Sequence, residues 1–182
     1  MHSPPSNFDS ELRSLTDHER RARSVSERRQ RTDRVVLDAI TSTFLGTLTE
    51  LVESSAPVTV LTRNESSIRG TIESVASDVA VIRGNSGRNT VLVRLGAIEG
   101  LLEVGAIHGR RVEAPEDTRS FSDLLDAFAH SGVRVALTLS SSNRVVGRLG
   151  HIGYDQIVVT LDGSGESMTV PTAAIDQAVV SA

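Results

Sequence analysis

The sequence contains an internal repeat, in which apolar, glycine and acidic residues recur 77 positions apart without a gap. The aligned pairs include Gly70 and Gly147, Ile72 and Leu149, Asp78 and Asp155, Val81 and Val158, Ala97 and Ala174, and Ile98 and Ile175. Chance can align apolar residues in two alternating segments, but it rarely aligns glycine, aspartate and alanine-isoleucine as well. Repetition at one fixed period indicates a single structural unit used twice.

Each unit reads as an amphipathic helix followed by short strands. Apolar residues spaced by three or four positions predict the first helix; they are Val36, Leu37, Ile40, Phe44, Leu48 and Leu51. Ser120 is placed to cap a second helix that ends at Gly132. Period-two alternation, with turn residues every ~8–12 positions, predicts five antiparallel strands in each unit.

We therefore expect a mainly β fold with helices, built as two tandem units of one helix and one small five-stranded barrel. A charged arm or helix is predicted over residues 1–34, and the first helix and barrel over 35–103. A linker over 104–119 leads to the second helix and barrel over 120–182. Barrels of about 50–60 residues are marginal alone and gain stability from docking or oligomerisation.

Charge and composition exclude several classes of protein. The formal net charge is −4, which argues against a strongly basic nucleic-acid binder. The chain has no cysteine, so disulfide scaffolds and cysteine zinc sites are excluded. No apolar run approaches the ~18 residues of a membrane span, and the first residues lack a secretory signal pattern. We expect a cytoplasmic protein without a membrane partner.

The segments VTVLTRNESSIRGTIESVASDVAVIRG and TVLVRLGAIEGL resemble the Sm-like family, above all its bacterial Hfq branch. The resemblance covers residues 45–101 and 122–178, and it rests on alternating apolar residues, Gly70 and the Ala97-Ile98 pair. It implies a short helix, a strongly bent five-stranded barrel, RNA binding and assembly through edge strands. The whole chain also looks like an uncharacterised actinobacterial family labelled as transcriptional regulators, although no helix-turn-helix is present.

The sequence departs from the Sm-like pattern at the positions that bind RNA in that family. The acidic residue expected after the second strand is replaced by Ala76 and Gly153. The Lys-His pair that precedes Ala-Ile in Hfq proteins is replaced by Leu95-Gly96 and Thr172-Ala173. The uridine pocket of Hfq proteins is therefore not carried over to this chain.

Candidate nucleic-acid-binding residues remain, because bases stack on aromatic rings and phosphates pair with arginine. Tyr154 is placed for stacking in a loop near His151 and Asp155. Arginines that are candidates for phosphate contacts are Arg69, Arg94, Arg144, Arg148, Arg110 and Arg111. The alternatives are an exposed loop tyrosine, an aspartate that closes a turn, and solvated arginines that protect strand edges.

No catalytic set, metal site or cofactor is predicted. The five histidines lack metal-ligand spacing, and the GSGES segment lacks the strand-turn-helix context of a nucleophilic serine. We expect a non-enzymatic, nucleic-acid-associated protein, with RNA as the expected nucleic acid. The alternatives are a protein-interaction or scaffold module without nucleic-acid binding, in which the N-terminal arm binds a protein partner, and DNA-linked regulation through the arm. A homo-oligomer is a further expected assembly.

Overall fold

Both α-helices in the described part of the chain begin at polar capping residues. Helix α1 (Phe44–Ser54) is capped by Thr43, whose hydroxyl accepts the Gly46 N–H at 3.0 Å. Helix α2 (Phe121–Ala129) begins with a capping box: the Ser120 hydroxyl accepts the Asp123 N–H at 3.3 Å, and the Asp123 carboxylate accepts the Ser120 N–H at 2.7 Å. The predicted cap at Ser120 is confirmed.

The computed structural model describes residues 43–85, 87–103, 110–129 and 132–181. The predicted arm over 1–34 and the first part of the predicted first helix, 35–42, lie outside these residues. The described residues belong to one compact unit. Within the described ranges, neither helix has the length and apolar character needed to cross a bilayer.

Ten short strands follow the predicted 77-residue offset. Their bounds are β1 (Pro57–Thr62), β2 (Ser67–Val75), β3 (Val79–Gly84), β4 (Asn89–Arg94), β5 (Ile98–Glu103), β6 (Arg134–Leu139), β7 (Arg144–Ile152), β8 (Gln156–Leu161), β9 (Ser167–Pro171) and β10 (Ile175–Ser181). Short 3-10 turns, Leu95–Ala97 and Thr172–Ala174, precede β5 and β10. Strands β1, β2 and β3 match β6, β7 and β8 residue for residue at that offset, so the predicted repeat is confirmed.

The prediction of two tandem five-stranded Sm-like barrels is wrong. All ten strands form one antiparallel sheet with the order β5-β1-β2-β3-β4-β10-β6-β7-β8-β9. The reason lies in β4, where Val91, Leu92 and Val93 are all buried. Its side chains pack on both faces, Leu92 in one apolar cluster and Val91 and Val93 in the other, and its two edges pair with β3 and β10, so β4 lies inside one continuous sheet. The broader prediction of a mainly β fold with helices is confirmed.

The apolar core joins the two halves of the sheet. One cluster packs Leu48 and Leu51 of α1 against β1 to β4. The other packs α2 against β6 to β10, and it also takes Ala76, Val79 and Leu92 from the first half. Because one cluster contains side chains from both halves, burial of apolar surface ties the halves together.

Glycines allow neighbouring strands to approach closely at equivalent positions of the repeat. A Cβ atom added at Gly70 would overlap the Arg83 carbonyl oxygen, and one added at Gly147 would overlap the Thr160 carbonyl oxygen. The pairing register also shifts further along both β2 and β7, which is the signature of a bulge that bends a strand. The glycines of the repeat therefore serve close packing within the bent sheet.

Candidate interaction surfaces

The two halves of the sheet meet where β4 pairs with β10; we call these strands and their contacts the internal junction. Val91 lies opposite Val179, Leu92 opposite Ala178, and Asn89 opposite Ser181. Val91 is buried and Val179 is half-buried. The internal junction therefore combines backbone hydrogen bonding with an apolar contact on the sheet surface.

Arg94, the last residue of β4, crosses the internal junction. Its Nε donates to the Ile175 carbonyl oxygen at 2.9 Å, and its Nη2 donates to the Thr172 carbonyl oxygen at 3.1 Å. Its Nη1 pairs with Asp78 Oδ2, and its guanidinium carbon lies 4.7 Å from the centre of the Phe121 ring. Asp78 Oδ1 in turn accepts the Phe121 N–H at 2.7 Å. One arginine thus links the β2–β3 turn to α2 and β10.

A second polar contact crosses the internal junction at the β1–β2 turn. Arg63 Nε lies 3.1 Å from Oδ2 of the buried Asp176, as an ion pair without hydrogen-bond alignment. The Ser66 hydroxyl donates to Gln177 Oε1 at 3.4 Å. Asp176 and Gln177 are both buried. Removal of Arg63 would leave a buried charge without its partner, which is costly.

The sheet ends at two strands, β5 and β9, each of which has a single strand neighbour within the described part of the chain. Both edges carry an exposed apolar side chain: Leu102 on β5 is 60% exposed, and Met168 on β9 is 38% exposed. Phe44, at the start of α1, is 47% exposed. Exposed apolar side chains on an unpaired strand favour pairing with another strand.

These three exposed residues are the repeat equivalents of residues covered at the internal junction. Met168 corresponds to Val91, and Leu102 corresponds to Val179, the pair that lies face to face across β4 and β10. Phe44 corresponds to Phe121, which is fully buried beneath Arg94. The two edge strands are therefore the repeat equivalents of the two strands that pair at the internal junction: β9 corresponds to β4, and β5 corresponds to β10.

The structure brings the predicted loop residues together but leaves them exposed. His151 lies near the end of β7, and Tyr154 and Asp155 lie in the turn before β8. All three side chains are exposed, and Tyr154 is fully so. The Asp155 carbonyl accepts the Thr172 N–H at 2.8 Å, as the Asp78 carbonyl accepts from Leu95 at 2.9 Å. The aspartate thus has the same backbone role in both repeats.

Three of the predicted arginines have acidic partners. Arg94 pairs with Asp78 at the internal junction, Arg110 Nη2 lies 2.8 Å from Glu53 Oε1, and Arg111 Nη2 lies 2.9 Å from Glu113 Oε1. The other three, Arg69, Arg144 and Arg148, are exposed on strands of different halves. The six candidate arginines are therefore divided among the internal junction, the segment ahead of α2, β2 and β7.

The carboxylates beside α2 have lowered pKa values because of their hydrogen bonds. The Arg119 side chain, followed by its backbone N–H, holds the pKa of Asp117 below its ordinary value, and the same side-chain hydrogen bond raises the pKa of Arg119. The Ser120 N–H and hydroxyl lower the pKa of Asp123. These contacts fix the chain ahead of α2, where the Ser77 N–H donates to the Arg119 carbonyl at 3.0 Å.

Sequence reasoning missed the edge residues Leu102 and Met168, and it missed the ion pair between the exposed Arg63 and the buried Asp176. Exposure at the sheet edges and contacts between the halves depend on the strand order, which cannot be read from local patterns in the sequence. Within the described ranges, no group of histidine and acidic side chains is placed to hold a metal ion. No protein-family model and no curated protein matches the chain.

Proposed function

We propose that the protein is a non-enzymatic interaction module that extends its sheet by pairing with further copies of the chain. The observation that carries the proposal is the match between the two edges of the sheet and the internal junction. Strand β9 takes the place of β4, and β5 of the next copy takes the place of β10. The partner in this proposal is a second copy of the chain, bound through the sheet edges and not through the N-terminal arm.

The repeat fixes the register of the proposed contact. Each β10 residue of the internal junction has a β5 equivalent 77 positions earlier, and each β4 residue has a β9 equivalent 77 positions later. The same pairing therefore places β5 of one copy against β9 of the next. The expected pairs are Leu102 with Met168, Leu101 with Thr169, and Gly100 with Val170. The apolar pair comes together on one face, as Val91 and Val179 do within the chain. A one-residue slip would turn one member of the pair to the other face.

The proposed contact is weaker than the internal junction. Pro171 stands where Arg94 stands in the first repeat, so the arginine network cannot form a second time. Ser140 likewise stands in place of Arg63. The proposed contact therefore consists of backbone pairing, the contact of Leu102 with Met168, and burial of Phe44 against the neighbouring copy. Because each copy offers two different edges, the assembly is head-to-tail and either closes into a ring or grows as a filament.

RNA association and a protein partner for the N-terminal arm remain predictions, as do the Sm-like resemblance and a cytoplasmic location. The pairing of Arg94, Arg110 and Arg111 with acids reduces the positive charge open to phosphates. The net charge of −4 also weakens the attraction of the protein for a polyanion such as RNA. The edge residues therefore support self-association more strongly than RNA binding.

Lysine substitutions at the edges test the proposal. Met168→Lys and Leu102→Lys each place a charge in the proposed contact, while both side chains are exposed in the single chain. Light scattering at rising protein concentration should show an increasing mass for the unaltered protein and a constant monomer mass for both variants. Ala127→Lys, on the exposed face of α2, is the matched control and should assemble normally. A monomeric unaltered protein at high concentration would refute the proposal.

A further inference from the structure

A groove of about 460 Å³ lies beside the internal junction, between α2 and the ends of four strands. Its apolar wall consists of Phe128, Val133 and Val180. Its charged wall consists of three arginines: Arg88, Arg134 and Arg148. The volume falls within the ~300–1,000 Å³ range typical of sites for small organic ligands.

Two of these arginines form a like-charge pair. Arg134 on β6 lies directly opposite Arg148 on β7. Like charges at directly opposite positions of an antiparallel pair destabilise the sheet. The equivalent positions in the first repeat are Pro57 and Thr71, which also lie opposite each other. The fold therefore accepts uncharged residues at these positions, and strand pairing alone does not require the two arginines.

Partners within the protein neutralise only part of this positive charge. Arg134 Nη2 lies 2.6 Å from Asp162 Oδ2, and both side chains are partly exposed. Arg148 Nη1 donates to the Gly132 carbonyl oxygen at 3.4 Å, a long bond to an uncharged acceptor. Arg88 reaches the groove from the β3–β4 turn of the other half of the sheet. Among the described residues that line the groove there is no acid, in a chain whose net charge is −4.

We propose that this groove binds a small amphiphilic anion, with a phosphate or carboxylate head on the arginines and an apolar chain or ring against Phe128 and Val133. Guanidinium groups match the geometry of both head groups, and an apolar tail gains free energy from burial beside the apolar wall. The bound head would also relieve the repulsion between Arg134 and Arg148. This site goes beyond self-association, because all its residues belong to one chain.

Calorimetric titration with four probes tests the chemistry: octyl phosphate, octanoate, inorganic phosphate and octanol. We expect octyl phosphate, octanoate or both to bind at least about tenfold more tightly than inorganic phosphate and octanol, which corresponds to ~1.4 kcal/mol. Comparison of the first two probes identifies the preferred head group. Equal affinity for octanol, or equal affinity for inorganic phosphate, would overturn the proposal.

Charge-removing variants test the location of the site. Arg134→Gln and Arg148→Gln should each weaken binding of the preferred probe at least about tenfold, because a charge-assisted hydrogen bond is lost. Arg144→Gln, exposed on the same strand as Arg148 but outside the groove, should bind like the unaltered protein. Equal affinity across all three variants would contradict the assignment.

A variant with a blocked edge separates this site from self-association. Titration of Leu102→Lys should give the same affinity for the preferred probe as the unaltered protein, because the groove is complete within one chain. Loss of binding in a folded Leu102→Lys monomer would contradict a site contained in one chain. Binding to an unaltered protein that stays monomeric would refute only the proposed self-association.

Discussion

Replacement of Arg94 by alanine should destabilise both halves of the sheet together. Arg94 donates to the Ile175 and Thr172 carbonyl oxygens at 2.9 and 3.1 Å, pairs with Asp78 and covers the Phe121 ring. Its side chain is 21% exposed, so water replaces these partners only in part. The substitution removes all four contacts and leaves the backbone of β4 and β10 paired.

The magnitude follows from the individual contacts. The two bonds to carbonyl oxygens contribute about 1 kcal/mol each, the usual net value for a hydrogen bond in a protein. The stacking on Phe121 adds about 0.5–1 kcal/mol. The ion pair with the half-exposed Asp78 adds up to about 1 kcal/mol. We therefore expect Arg94→Ala to lower the free energy of unfolding by about 3 kcal/mol, with the usual non-additivity of neighbouring contacts.

Urea unfolding followed by circular dichroism measures this change, with Arg83→Ala as the matched control. Arg83 also pairs with an acid, Glu73, but its side chain is 60% exposed, and we expect a loss of about 0–1 kcal/mol. Hydrogen exchange at the Phe121 amide, which donates to Asp78, should accelerate in Arg94→Ala. A loss below about 1 kcal/mol for Arg94→Ala would show that its contacts do not hold the internal junction together.

Three further substitutions test other parts of the structure. Leu125→Ala removes a fully buried side chain and should lower the free energy of unfolding by about 2–5 kcal/mol, measured in urea. Gly147→Ala should cost about 1–3 kcal/mol in the same assay, because the new Cβ meets the Thr160 carbonyl oxygen. The pKa of Asp123 in the folded protein is lower than its ordinary value of 3.8, so its ionised carboxylate stabilises the folded protein above that pH. This stabilisation is lost as the pH falls through the pKa of Asp123 in the folded protein. Asp123→Asn should therefore unfold at lower urea than the unaltered protein at pH 7, with a smaller difference at pH 3; an unchanged difference would contradict the capping role.

Much of the local structure could be predicted from the sequence. The repeat can be recognised because each unit carries the same local pattern of apolar, glycine and acidic residues. The cap at Ser120 depends only on Asp123, three residues later. Gly70 stands out in the repeat alignment, and the close approach of the Arg83 carbonyl oxygen gives its physical reason. Each of these features depends on residues near in sequence or on one adjacent strand.

The joining of the halves could not be predicted in the same way, because it pairs residues far apart in the chain. The run of Val91, Leu92 and Val93 on β4 indicates a strand covered on both faces. It does not show which strand pairs with the edge of β4, and that pairing joins the halves. The sequence predicts Arg94 as a phosphate ligand, whereas the structure pairs it with Asp78 and two carbonyl oxygens, because a position at the end of a strand does not reveal which carbonyls lie beside it.

The residues of the candidate sites were likewise predictable only in part. Arg148 was identified from the sequence, whereas its neighbours Arg134 and Arg88 were not, because their meeting depends on the register of β6 and β7 and on the pairing of the halves. Leu102 and Met168 look like ordinary apolar strand residues until the strand order leaves them at the edges. In both cases the residue types are known from the sequence, whereas their positions relative to one another depend on the fold.

Cysteine trapping across the proposed contact is the most direct test of sheet extension, because the chain has no cysteine of its own. Directly opposite residues of antiparallel strands lie about 4.5–5.5 Å apart between Cα atoms, within reach of a disulfide. The double variant Leu102→Cys and Met168→Cys should form covalent dimers and longer chains under mild oxidation, seen on a non-reducing gel. The control pair, Leu102→Cys and Thr169→Cys, shifts one cysteine to the other face and should remain largely monomeric. Equal cross-linking of both pairs, or none in either, would contradict the proposed pairing of β9 with β5.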